Sequence, residues 1–212
     1  MQAQPMRIAD EYFVIAHDPD SCQPYLNHQA LGLGLAAGLL CELLVDGWVV
    51  IAEGAVYPSG SQGIPAEPLQ HRVWDLIRGE PKALAVDVWL RYLAQDAVDL
   101  VGDRLVRARR YQRDQVRVGL LRRTVQLYCP LDPGRAAYAT VRLRTALRGQ
   151  VSMGDVLLTA IAVATELAEL AELWDEDKPP EHLRSLFRQL PQPLWEVVTH
   201  TQASVAHIVM TR

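Results

Sequence analysis

The chain has 212 residues, 50% of them hydrophobic and 22% charged, with a formal net charge of −4. That balance belongs to a globular domain that buries its own core, and it excludes a disordered tail. The small net charge conceals a segregation: between Arg104 and Arg148 twelve arginines stand against two acids, Asp114 and Asp132, a local balance of +10, while the rest of the chain carries −14.

Taken in chain order, hydrophobic periodicity predicts helices almost throughout. Ile8, Tyr12, Phe13 and Ala16 share one face of a first helix over 7–17, stopped by the turn-forming Asp18-Pro19-Asp20-Ser21. A longer helix over 26–46 is apolar all round its middle, which marks it as the central buried helix. Its Gly32, Gly34 and Gly38 are tolerable where neighbouring backbones pack closely. Gly47 ends it, and Trp48 to Ala52 follow as a short strand, then a loop from Tyr57 to Pro65. Helices are expected at 66–79 and 83–114, the second broken near Leu93 to Asp96, and Gly119 to Cys129 as a strand pair or wing. Helices at 136–148, 154–173, 180–190 and 193–210 complete a single, mostly α domain with one or two small β-hairpins.

Local signatures of catalysis are missing. No GxSxG, phosphate-cradling glycine loop, HExxH or EF-hand occurs. Only His200 and His207 show any regular spacing, i and i+7, which does not suit a metal pair, so neither a catalytic nor a metal site is expected and no cofactor is implied. Asp175-Glu176-Asp177 fits a solvated loop. Trp74, Trp89 and Trp195 sit in amphipathic segments and are expected in the core. The three cysteines, Cys22, Cys41 and Cys129, are odd in number and form no CxxC, which points to a reducing compartment and away from structural zinc. Asp10 and Glu11 interrupt any secretory leader at the start, and the longest apolar run, Ala30 to Cys41, is shorter than the ~18 residues of a membrane span. The expected location is therefore cytoplasmic.

Charge is the positive signal. On a continuous helix Arg104, Arg107 and Arg110 would form a stripe, extended by Arg113 and Arg117, with few acids in the segment to neutralise it. Such a stripe suits bidentate contacts to phosphate. Few aromatics interleave with it, so an acidic lipid surface is a better match than nucleic acid. Opposite charges on one chain also make self-association or a protein partner reasonable.

The order of segments resembles a known family. Ile8-Ala-Asp-Glu-Tyr-Phe-Val-Ile-Ala-His-Asp18, then Leu31 to Gly47 followed by a strand, then Val116 to Arg123 and Met153 to Ala162, are similar to the motifs of the Golgi phosphoprotein 3-like family. The Arg-rich, Lys-poor composition resembles a bacterial, actinobacterial member. The resemblance implies a helical domain that docks on membranes through an anionic-lipid pocket and a hydrophobic hairpin. Its eukaryotic members bind phosphatidylinositol 4-phosphate and hold glycosyltransferases, using a Trp and three Arg around the headgroup. Here the Trp position carries Asn27 and the first Arg position Ala36; the other two fall on Leu105 and Ala108, or on Arg104 and Arg107 with a one-residue shift. The hairpin segment, Leu127 to Tyr138, has Leu127, Tyr128 and Leu131 as its large apolar residues. The resulting expectation is a peripheral membrane protein that grips phosphate with Arg104, Arg107 and Arg110, in a pocket lined by Asn27 and Tyr25. The alternative is an enzyme or binding protein for a small phosphorylated amphiphile such as an isoprenoid diphosphate, with Arg on phosphate and a helical apolar interior for the tail.

Overall fold

A computed structural model describes residues 7–60, 63–118, 123–149, 151–174 and 181–210. At its centre lies α2 (His28–Val45), in contact with α1 (Ile8–Ile15), α4 (Val86–Ala94), α5 (Ala97–Arg107), α7 (Met153–Ala164) and α10 (Gln192–Met210). Fourteen of its 18 residues are buried. It is the one helix among the described residues long and apolar enough to cross a membrane, and the helices around it, rather than lipid, cover it. Its glycines are where the neighbours come closest. A Cβ on Gly38 would stand 2.8 Å from the Ala9 Cα, one on Gly34 would enter the Tyr12 ring, and one on Gly32 would meet the Ala94 carbonyl.

Two antiparallel sheets complete the described structure. β1 (Val49–Ala52) and β2 (Ala55–Pro58) form a hairpin, joined at β2 by β3 (Leu84–Ala85). Its two-residue turn, Glu53-Gly54, has φ of 51° and 74°, the left-handed pair that matches strand twist. β4 (Tyr111–Val118) pairs with β5 (Arg123–Pro130), from Tyr111↔Pro130 to Val118↔Arg123. The expected helix over 83–114 is therefore corrected: the break near 93–96 is real, at Gln95-Asp96, but α5 stops at Arg107. Arg109 N–H bonds the Val106 carbonyl and Arg110 N–H the Leu105 carbonyl, with Arg109 at φ 54°, and the chain then turns into β4. Helix propensity of the arginines loses here to cross-strand pairing and to the burial of Tyr111 and Tyr128, which both pack edge-on against Phe13.

The chain between α2 and α4 continues through α3 (Pro68–Gly79). After β5 come α6 (Pro133–Leu147), α7, the short α8 (Leu167–Leu170) and α9 (Glu181–Phe187). The predicted helix over 154–173 is thus interrupted at Thr165-Glu166, where Glu166 takes φ 62°. The hairpin segment proposed over Leu127 to Tyr138 is likewise corrected to the end of β5, a corner and α6; Leu127 and Tyr128 belong to the interior. Trp74 and Trp89 are buried and Trp195 is partly buried against the core, as expected. The acidic run Asp175-Glu176-Asp177 and the Gly119 to Arg122 stretch lie outside the described residues.

Cys22 and Cys129, 107 residues apart, are joined by a disulfide with Cα atoms 5.0 Å apart. This bond is at odds with the reducing compartment expected from the odd number of cysteines. Residue spacing along the chain carries no record of which loop meets which strand; only Cys41, fully buried in α2, is free.

Candidate functional site

The arginine run divides between interior and surface. Arg104, on the last turns of α5, is only 6% exposed. Its Nε donates to Asp10 Oδ1 at 2.6 Å, and its Nη1 and Nη2 donate to the two Glu42 oxygens at 2.9 and 3.0 Å; Glu67 Oε2 lies 3.5 Å away. Glu42 also accepts the Ala9 N–H at 2.9 Å, so this centre ties α1, α2, α5 and the start of α3 together. Burial opposes the guanidinium charge, but Glu42, then Asp10 and Glu67, outweigh it and raise the Arg104 pKa above its ordinary value. Burial pushes Asp10 and Glu42 upward, with Arg104 pulling against it. The expectation that Arg104 grips an external phosphate is therefore corrected. Its donors are engaged by carboxylates, away from solvent.

Other arginines of the run are also met by acids from elsewhere. Arg113 pairs with Asp103, Arg144 lies 3.9 Å from Glu172, and Arg142 bridges Glu11 at 2.5 Å and Asp155 at 2.8 Å. The scarcity of acids within the segment is thus repaired by acids brought to it in space.

What faces outward is a second group. Arg109, Arg110 and Arg135 line a cleft of about 100 Å³, with Val14 of α1, Tyr111 of β4, Pro130, Leu131 and Asp132 at the β5–α6 corner, and Ala136 and Ala139 of α6. Local structure places each of them. The left-handed turn at Arg109 swings the chain out of α5, Leu131 N–H bonds the Arg110 carbonyl at 2.9 Å, and Asp132 caps α6 by accepting the Arg135 N–H at 3.0 Å. Arg107, Arg109 and Arg135 are exposed, and Arg110 is half-buried, near enough to Asp10 to work against the upward push of burial on that carboxyl. Beside them stand solvent-exposed apolar groups, Leu131 at 54% and Tyr138 at 63% exposure, with Val141 one turn on. Three charges, a small recess and an apolar margin can hold an anionic group at the edge of an apolar phase.

The remaining expected residues go elsewhere. Asn27 is the N-cap of α2, its Oδ1 accepting the Gln29 and Ala30 N–H groups at 3.1 and 3.0 Å, a structural task in place of a ligand contact. Tyr25 is 39% exposed, and its pKa is raised by burial and then by Asp18, with Glu172 and Asp20 adding to it; this acidic setting does not suit an anion. Ala36 and Leu105 are wholly buried. Arg135 escaped the sequence reading because 25 residues separate it from Arg110, although the Asp132-Pro133 start of α6 is a readable helix signal.

A second cavity, about 430 Å³, opens between α2, α4 and α10, with Leu33, Ala94, Ala203 and Ile208 as apolar lining and His28, Arg91, His200 and His207 among its polar groups. Arg91 pairs there with Asp87 at 2.7 Å. Among the described residues no group of three or more His, Cys, Asp or Glu is arranged to hold a metal ion.

No curated protein matches the chain. The sequence pattern of one family does, over residues 8–206, a span that runs from α1 into α10 and takes in the buried Arg104 centre and the exposed cleft alike. The chain therefore belongs to the Golgi phosphoprotein 3 (GPP34) family.

Proposed function

We propose that this protein is a peripheral membrane protein that binds anionic, phosphoinositide-like lipid headgroups through its Arg-rich face, on the cytoplasmic side, and that it is a bacterial member of its family. The observation that carries the reading is the cleft lined by exposed Arg109 and Arg135 and half-buried Arg110, beside exposed Leu131 and with exposed Tyr138 one turn along α6 from Arg135. Near an acidic surface each such arginine contributes about 1 kcal/mol of attraction. The cleft, at about 100 Å³, is well below the roughly 300–1,000 Å³ that encloses a drug-sized molecule. Its scale suits contact with one phosphate at the surface. Family membership supports a phosphoinositide-type ligand, while Asn27 and Ala36 at the family's headgroup positions argue for relaxed choice among anionic lipids.

Co-sedimentation with vesicles tests this over a salt series, comparing neutral lipid with phosphatidylinositol, its 4-phosphate, phosphatidylglycerol and cardiolipin. The expected result is binding to anionic vesicles that weakens with salt and is lost in the Arg109→Gln/Arg110→Gln/Arg135→Gln protein. Absence of binding to every vesicle at low salt would overturn it.

The 430 Å³ cavity favours one second reading, a binding protein for a small phosphorylated amphiphile. Thermal stabilisation by an isoprenoid diphosphate, cancelled by Ala203→Trp, would select it over the membrane reading.

A further inference from the structure

The cleft has a covalent neighbour. Cys129 is the last but one residue of β5, and the chain passes from it directly through Pro130, Leu131 and Asp132 into the cleft wall. Cys22 lies in the loop that leaves α1, the helix whose Val14 also lines the cleft. The disulfide therefore ties the loop after α1 to the end of β5, two elements whose neighbouring residues line the basic cleft.

We propose that Cys22 and Cys129 form a thiol–disulfide switch: closed, the bond holds the β5–α6 corner in the shape that grips anionic headgroups; open, it loosens that corner and weakens the grip. This inference rests on the lipid-binding reading.

The corner needs such a tie. Pro130 faces Tyr111 in the ladder and has no N–H to donate, which leaves Leu131 N–H to Arg110 carbonyl as the backbone bond carrying the chain past the strand end. The Cys22 loop keeps its own shape without the bond. Cys22 N–H reaches the Asp18 carbonyl at 2.9 Å, Ser21 N–H reaches Asp18 Oδ1 at 2.7 Å, and Tyr25 N–H reaches the Ala16 carbonyl at 3.0 Å. A released Cys22 thiol thus stays where Cys129 can recapture it, the condition for reversibility. The third thiol, Cys41, is fully buried, and burial raises its pKa, so exchange is confined to the one pair.

The chemistry balances with a dithiol reductant. Its thiolate attacks the Sγ of Cys129, the less buried residue of the pair, and the Cys22 thiolate leaves and takes a proton. The reductant's second thiolate then attacks its own sulfur in the mixed disulfide, closes the reductant to a disulfide and frees the Cys129 thiolate, which is protonated. Closure runs in reverse, with glutathione disulfide accepting the two electrons and leaving as two glutathione thiols. In a reducing cytoplasm a disulfide of this kind acts as a sensor more often than as a permanent staple.

The test uses the full chain, equilibrated with glutathione disulfide or with dithiothreitol, folding being checked by far-UV circular dichroism. Two readouts are taken: affinity for phosphatidylglycerol vesicles at low salt and amide hydrogen exchange over residues 131–139. Reduction is expected to cut affinity at least fivefold and to speed exchange at that corner, with Cys22→Ser behaving as the reduced protein and Cys41→Ser switching like the unsubstituted one. If Cys22→Ser does not fold, the reduced unsubstituted chain supplies the same comparison. Equal affinity in both redox states, with binding present, overturns the switch and leaves the lipid reading standing. Binding in neither state overturns the lipid reading and the switch with it, and three titratable thiols in the oxidised, denatured chain would show that the bond does not form.

Discussion

Arg104 and Arg110 lie six residues apart, carry the same guanidinium, and have opposite fates. Arg104 is inside, with three carboxylates from α1, α2 and the start of α3 around it; Arg110 lies past the end of α5, where it lines an outward-facing cleft with Arg109 and Arg135. The difference teaches that a run of like charge is not one functional unit. Each arginine is assigned by what the fold brings to it. Helix α1 serves both regions from one face: Asp10 meets the buried centre and Val14, one turn on, lines the cleft.

The sharpest way to break this contrast is to remove Arg104. Arg104→Met leaves Asp10 and Glu42 buried without their partner, and loss of one member of a buried ion pair costs about 3–5 kcal/mol. Urea denaturation is expected to show that loss, with the deficit larger at pH 8 than at pH 5. The sign follows from the carboxyls: their pKa values are already raised in the folded protein and rise further without the guanidinium, so the fold favours their protonated forms and stability falls as pH climbs through the folded values. A variant with unchanged stability would return Arg104 to the surface role it lacks here.

His17 tests the same interior from its other end. Stacked on Phe13 at 4.1 Å between ring centroids, and with Nδ1 2.7 Å from the Phe13 carbonyl, it is held neutral by burial, which lowers its pKa from 6.5 to about 4. A folded value below the unfolded one means that the unfolded chain takes the proton first. Stability present above pH 6.5 is thus lost as pH falls toward about 4, by about 3 kcal/mol. Denaturation midpoints across that range should show the loss in the unsubstituted protein and a flatter profile in His17→Phe; parallel profiles would contradict it.

Gly38→Val examines how firmly α1 is seated between the two regions that it touches. The added atoms meet the Ala9 backbone, so α1 must shift, at an expected cost of about 1–3 kcal/mol in thermal or chemical unfolding. Because Val14 moves with α1, vesicle affinity should fall together with stability.

The cleft arginines give the smallest and most selective effect. Arg110→Gln and Arg135→Gln should each lower affinity for anionic vesicles by about 1 kcal/mol, roughly fivefold, measured by co-sedimentation. Melting temperature should stay within a degree or two, the reverse of what Arg104→Met does. Equal affinity for all three proteins would remove the cleft from the binding face.

Much of the architecture was legible along the chain. The 3.6-residue spacing of Ile8, Tyr12 and Phe13, the all-round apolar run after Asn27, and the stop at Gly47 located α1 and α2 to within a residue or two, and the three glycines announced close helix neighbours. Periodicity and capping are local properties, so local sequence carries them. The turn at Ala108 to Arg110 was not legible, because arginine is at ease in a helix and the strand that follows is held by β5 and by Tyr128 packed on Gly102, both distant in sequence. The candidate site was half legible. Arg110 was readable from charge, but the removal of Arg104 to the interior, the arrival of Arg135 and the pairing of Cys22 with Cys129 depend on contacts across tens of residues or more. By itself, then, the sequence determined a helical domain of this family with a surplus of positive charge in its middle third. Which of those charges meet solvent was decided by the tertiary structure alone, because a buried guanidinium is stable only where carboxylates gather around it, and those carboxylates come from other parts of the chain.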